Sequence, residues 1–140
     1  MAQAGTPSLQ TISTLGVQIL DGLRDMHRRG YVFVDVKPDN FMVLKDPKAP
    51  ADRSNGDFFP GDRVFFVDFG LMEKLRAYNG GGQRENVTRA TLAGNACYCS
   101  MDVHECAVPA AKDDVEALVS SYVYVAFLSR LYRSVYVLLV

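Results

Sequence analysis

Asp35, Lys37 and Asn40 stand within six residues of one another, and Asp68 follows 28 residues after Asn40 with Phe69 and Gly70 behind it. In chain order they read D-x-K-x-x-N and then D-F-G. These residue types suit phosphoryl transfer, which asks little covalent chemistry of a protein. It needs a carboxylate to position the acceptor hydroxyl, a cation on the moving phosphoryl group, and hard oxygen ligands for magnesium. Either stretch alone arises by chance; the two in order, each beside an apolar strand, point to one site. Acidic residues in loops are more often simply solvated, and Asp39 is read that way.

The elements around this set can be placed. Ser8 behind Pro7 is a helix N-cap, and Ile12, Leu15, Ile19, Leu23 and Met26 recur at three- and four-residue steps, which predicts an amphipathic helix of about 20 residues. Arg28-Arg29-Gly30 closes it, with cations near the carbonyl end and glycine just beyond. His27, near its end, is assigned a structural role. Tyr31 to Val34 is a short β-prone run into the acidic loop. Phe41–Leu44 and Val64–Val67 are apolar strands able to pair as a hairpin. Between them, residues 45–63 hold three prolines, two glycines and Asp46, Asp52, Asn55, Asp57 and Asp62, the composition of an exposed insertion. A second loose stretch, residues 78–89, opens with Gly80-Gly81-Gly82. Asp113-Asp114-Val115-Glu116 then opens an apolar helix through about Leu128.

Composition narrows the classes. At 140 residues the chain is one domain at most, and a net charge of −1 offers no basic face for nucleic acid. The first seven residues carry no basic and then apolar pattern of a secretory signal. Three cysteines without framework spacing suit a reducing compartment, so a cytoplasmic or nuclear location is expected. Cys97, Cys99, His104 and Cys106 fall within ten residues, but the single residue between the first pair is shorter than a zinc knuckle asks. The apolar run from Leu118 to Leu128 is short of a membrane span, Arg130 and Arg133 interrupt the chain beyond it, and residues 135–140 are β-prone and uncharged. No membrane partner is expected.

The run from Leu23 to Val43 resembles helix E and the catalytic loop of the casein kinase I group, in which the helix around Gln18-Ile19-Leu20-Asp21 is similar to the vaccinia-related branch. Gly94 to His104 is similar to that group's G-T-A-R-Y-A-S-x-x-x-H segment, and Lys112 to Leu118 to its R-D-D-L-E-S-L start of helix F. The resemblance covers residues 7–128. It implies a mainly α fold with a short β-hairpin, a partial protein kinase-like C-lobe from helix E to helix F without an N-lobe. Residues 1–7 are then a lead, 8–128 the partial catalytic domain with insertion 45–63 and activation segment 68–105, and 129–140 an apolar tail. It implies ATP and Mg2+ as cofactors and a protein substrate. Asp35 would be the catalytic base, Lys37 the cation on the transferred phosphoryl group, and Asn40 and Asp68 the magnesium ligands. Phe69 would pack beneath the site, Gly70 would lend the backbone freedom, and Asp114 would anchor the catalytic-loop backbone.

The chain also departs from that pattern. Phe33-Val34-Asp35 replaces H-R-D, so Val34 removes the arginine that pairs with a phosphorylated activation loop, while Phe33 keeps the stacking of the histidine without its hydrogen bond. Asn95 stands where a threonine bonds the catalytic aspartate and lysine. Cys97 replaces an arginine that serves acidic or primed substrates; a thiol cannot make that bidentate contact. These 140 residues hold no glycine-rich phosphate loop and no phosphate-holding lysine strand ahead of Ser8, so the chain alone is expected to show no measurable kinase activity. The competing reading is a binding or scaffold module of pseudokinase type. The complete set Asp35, Lys37, Asn40 and Asp68 favours the enzyme; Phe33, Val34 and Asn95 favour the scaffold.

Overall fold

The computed structural model describes residues 8–49, 58, 60–75 and 88–131. The lead 1–7, residues 50–57 and 59 of the insertion 45–63, residues 78–87 with their glycine run, and the run 135–140 lie outside the described residues. Helix predominates, and sheet is confined to two antiparallel two-stranded pairs.

Helix α1 spans Leu9–Arg28. The Ser8 hydroxyl accepts the Thr11 N–H at 3.1 Å, satisfying one of the orphan donors of the first turn. At the other end Gly30 takes φ +83°, the left-handed turn that releases the chain from the helix. The expected stripe faces inward: Ile19 and Leu23 are buried, and Ile12, Leu15 and Met26 are half-buried. Strand β1 (Tyr31–Val32) comes next, then a single 3-10 turn at Pro38–Asn40 and strand β2 (Phe41–Leu44).

Strand β3 (Arg63–Phe66) pairs antiparallel with β2 in the register Phe41↔Phe66, Met42↔Phe65, Val43↔Val64, Leu44↔Arg63. It begins one residue earlier than its apolar run suggests, because pairing depends on backbone rather than on side-chain polarity. Phe41, Val43, Val64 and Phe66 are half-buried, while Met42, Leu44 and Phe65 on the opposite face are exposed. The Gln18 side chain fastens β3 to α1, accepting the Val64 N–H at 3.0 Å and donating to the Asp62 carbonyl at 3.1 Å. At Gly22 a Cβ would stand 2.4 Å from the Phe66 ring, so α1 meets β3 at a distance only glycine allows.

After a 3-10 turn at Phe69–Leu71, strand β4 (Glu73–Lys74) returns to pair with β1. Two helices close the fold: the short α2 (Met101–His104) and the long α3 (Ala111–Leu131), which runs three residues past the expected end at Leu128. One core cluster gathers Ile19, Leu23, Phe33, Val36, Ala117 and Leu118 between α1, the acidic loop and α3. A smaller one joins Val32, Val34, Ala93 and Val103. Helix α3 is apolar on both sides: Ala117, Leu118 and Ser121 are buried, whereas Val115, Val119 and Val123 are exposed. No described residue covers that valine face. Among the described residues no helix is long and apolar enough to cross a membrane.

Tyr122 on α3 ties the two long helices together, its hydroxyl donating to the Ile12 carbonyl at 2.9 Å. Burial pushes its ionisation up from 10.0 to about 12. A raised pKa in the folded state means that the stability it confers is complete below pH 10 and is lost as pH rises towards 12. Ultraviolet titration should therefore resolve a tyrosine ionising near 12 that is missing from Tyr122→Phe. All tyrosines ionising together near their ordinary value would contradict this packing.

Candidate active site

The acidic loop between β1 and β2 is built on a strained turn. The Asp35 N–H donates to the Phe33 carbonyl at 3.0 Å, and Val34 between them has φ 73°. A three-residue turn around a positive-φ residue is rare, and a β-branched side chain makes it costlier, by about 1–3 kcal/mol. Something must hold it there, and Asp114 does. Its Oδ2 accepts the Phe33 N–H at 2.8 Å and its Oδ1 accepts the Val34 N–H at 2.8 Å. His27 Nε2 lies 2.7 Å from Oδ2, so the expected structural histidine is a third partner of the same carboxylate. The Asp114 side chain is only 1% exposed. Such charge-assisted bonds in a buried setting are about twice as strong as neutral ones.

The turn delivers Asp35 into a small polar cluster. Its Oδ2 accepts from Lys37 Nζ at 2.6 Å and from Asn40 Nδ2 at 2.9 Å, and Asn40 Nδ2 also donates to the Asp35 carbonyl at 2.8 Å. Asp35 and Asn40 are buried, and Lys37 is half-buried. The hydrogen bond to Asp35 raises the Lys37 pKa above the ordinary lysine value, against a smaller opposing effect of burial. Lys37 is thus firmly cationic. Pro38 at the start of the 3-10 turn pre-sets the backbone that folds Asn40 back towards Asp35.

Asp68 is placed differently. The Val67 N–H donates to the Asn40 carbonyl at 3.0 Å, which brings the end of β3 beside the cluster. The Asp68 side chain, however, is exposed and accepts the Gly70 N–H at 3.3 Å; its charge reaches Lys37 only through space. Asp68 itself takes the left-handed conformation, φ 58°. An aspartate tolerates this conformation because its carboxylate bonds its own backbone two residues on. Phe69 lies edge-on to Phe33 with ring centroids 5.6 Å apart, and Phe33 also meets the rings of Phe41 and Phe66. Phe33 thus fills with aromatic contacts a place from which it can offer no polar bond.

Gly94 closes the loop from above. With φ +78°, a Cβ there would stand 2.9 Å from the Val34 carbonyl oxygen and 3.7 Å from the Asp35 Cα. Gly94→Ala should lower stability by about 2–3 kcal/mol, combining the left-handed penalty with a backbone clash. A change of under about 0.5 kcal/mol in urea unfolding would show that this contact is dispensable. Asn95 turns away: its Oδ1 accepts the Cys97 N–H at 2.8 Å, so the side chain serves its own turn rather than Asp35 or Lys37. Cys97 is exposed. His104 Nε2 contacts the Ala96 carbonyl at 2.7 Å, and among the described residues no three histidine, cysteine or acidic side chains converge as a metal site.

Asn40 and Asp68 carry oxygens of the hard type that a magnesium ion takes. It is commonly held by one or two protein oxygens with substrate phosphates supplying the rest, so no protein cage is required. Because Nδ2 of Asn40 is committed to Asp35, Oδ1 is the oxygen it offers.

No protein-family model matches the chain. Curated relatives do. A probable casein kinase I homologue of Encephalitozoon cuniculi is 32% identical over 117 residues, covering 84% of this chain and 34% of that protein. Casein kinase I homologue 2 of Schizosaccharomyces pombe is 27% identical over 117 residues, covering 84% and 25%. Casein kinase I homologue 3 of Saccharomyces cerevisiae is 28% identical over 126 residues, covering 84% and 24%. The chain spans about a quarter to a third of the length of these relatives. Over 84% of its length the chain is thus similar to proteins named as casein kinase I homologues, which supports a protein kinase family. Within that family the chain is casein kinase I-like.

Proposed function

We propose that the described residues form the catalytic part of a kinase C-lobe, from its helix E (α1) to its helix F (α3), serving a serine/threonine protein kinase that transfers the γ-phosphate of ATP to protein hydroxyls. The observation that carries this reading is the clasp of Asp114 on a strained turn whose only evident product is the placement of Asp35 against Lys37 and Asn40. Strain of that kind persists where the surroundings enforce it, and it clusters at functional sites.

Lys37 and Asn40 both contact the Asp35 carboxylate at Oδ2. Its Oδ1 is then the oxygen that accepts the substrate hydroxyl, orients it, and takes up its proton as the new O–P bond forms and the bond to the departing ADP oxygen breaks. Lys37 stays protonated beside the transferred group and spreads its charge. Asn40 holds Asp35 still and, with Asp68, would hold magnesium. Magnesium bound there supplies neutralisation of the phosphate charges. Phe33, Phe41 and Phe66 form a dry floor that fixes the loop from below.

Nucleotide affinity tests the metal half of this reading. In the longest product of the gene, Mg2+ should tighten ATP binding, and Asp68→Asn should remove about tenfold or more of that gain. A scaffold module is the second reading, favoured by Val34 in place of an arginine and by Asn95 turning away from Asp35. It expects no magnesium-dependent step at all.

A further inference from the structure

Two neighbouring acids open α3 and hold different parts of the molecule. Asp114 takes the catalytic loop. Asp113, 4% exposed, faces the other way, since successive helical residues point about 100° apart. Its Oδ1 accepts the Ser100 hydroxyl at 2.8 Å and lies 3.1 Å from Lys112 Nζ, while its Oδ2 accepts the Ala110 N–H at 2.7 Å. Ser100 is fully buried, and its oxygen accepts the Val103 N–H at 3.2 Å, so one hydroxyl both caps α2 and ties it to α3. Around this buried bond, Lys112 Nζ also reaches Asp102 at 2.7 Å and the Met101 N–H reaches Glu116 Oε1 at 3.0 Å. Three successive residues, Ser100, Met101 and Asp102, are thereby fastened to the first turns of α3. The same segment begins at Gly94, against Val34 and Asp35.

We propose that Asp113, acting through the Ser100 hydroxyl, is a positioning residue that sets segment 94–104 at its distance from Asp35, independently of Asp114, which sets the catalytic loop. This rests on the reading of Asp35 as the group that orients the acceptor. Gly94 is the end of the segment that packs against the Asp35 backbone, so on that reading the Asp113–Ser100 bond, by fixing the segment, fixes how closely an acceptor lying against it stands to Asp35. The two carboxylates then divide the work: one holds the base, the other holds what the base acts upon.

Hydrogen–deuterium exchange on the 140-residue chain separates these roles. Ser100→Ala should speed exchange across residues 96–104 by about tenfold or more, the loss of one buried hydrogen bond, and leave Phe33 and Val34 protected. Ser100→Thr, which keeps the hydroxyl, should restore protection. Asp114→Asn should do the reverse, loosening Phe33 and Val34 and sparing 96–104. The proposal is overturned if Ser100→Ala leaves 96–104 unchanged, or if both variants loosen both segments alike. A kinetic arm uses the longest gene product: Ser100→Ala should raise KM for an acceptor peptide about tenfold while kcat changes less than about threefold, and Ser100→Thr should reverse it. Equal falls in kcat and kcat/KM would overturn the positioning role. Absence of any Asp35-dependent transfer would instead defeat the kinase reading, while the exchange data still decide whether the Asp113 tie exists.

Discussion

Replacing Asp114 with alanine should cost the folded chain about 3–5 kcal/mol, the range for breaking a buried, hydrogen-bonded charge network. Three donors converge on that carboxylate, two of them backbone N–H groups 80 and 81 residues away in sequence. Alanine would leave those N–H groups buried without an acceptor, and it would remove the restraint on Val34 at φ 73°. The turn could then relax only by moving Asp35. A domain with a stability of about 5–15 kcal/mol has little margin for such a loss. Urea unfolding should show the midpoint collapsing in Asp114→Ala and falling roughly half as far in Asp114→Asn, which keeps one oxygen. A shift under about 1 kcal/mol for the alanine variant would mean that the strained turn holds itself.

Asp35→Asn should lower phosphoryl transfer by about 10²- to 10⁴-fold in a kinase that carries this loop, the usual contribution of a positioned general base. The amide has the shape of the carboxylate, so the core beneath it, Phe33 and Val36, should be undisturbed. It lacks the charge. Lys37 then loses the hydrogen bond that chiefly raises its pKa, and the amide cannot take the acceptor's proton. Stability should change little by comparison with Asp114→Ala. That contrast, one aspartate structural and its neighbour in space chemical, separates anchor from base.

Much of this is legible in the sequence because its causes are local. Ser8, the apolar stripe and Gly30 specify α1 from end to end, and the two apolar strands specify the β2–β3 pairing to within one residue. The spacing of Asp35, Lys37 and Asn40 announces the cluster because Pro38 and the 3-10 turn fold six residues onto themselves. The features that stay hidden depend on distant partners. Nothing in valine suggests a left-handed turn at residue 34; the reason for it is an aspartate on α3. Strands β1 and β4 have two residues each, too few for any alternation to show, and they find each other through the tertiary fold. The positive φ falls on Asp68 because the Asp68 carboxylate can bond its own backbone. Asn95 stands where the resembled pattern has a threonine, and only its contact with Cys97 shows where the amide goes.

The most direct test of the central reading is to graft Ser8–Leu131 into an active casein kinase I in place of the matching segment and measure Mg2+-dependent transfer of labelled γ-phosphate to a serine/threonine acceptor. Transfer by the graft, reduced about a hundredfold or more by Asp35→Asn at unchanged folding, is the expected result. A folded, ATP-binding graft that transfers nothing, or one whose transfer survives Asp35→Asn, would contradict it and leave the loop as a structural relic of the kinase family.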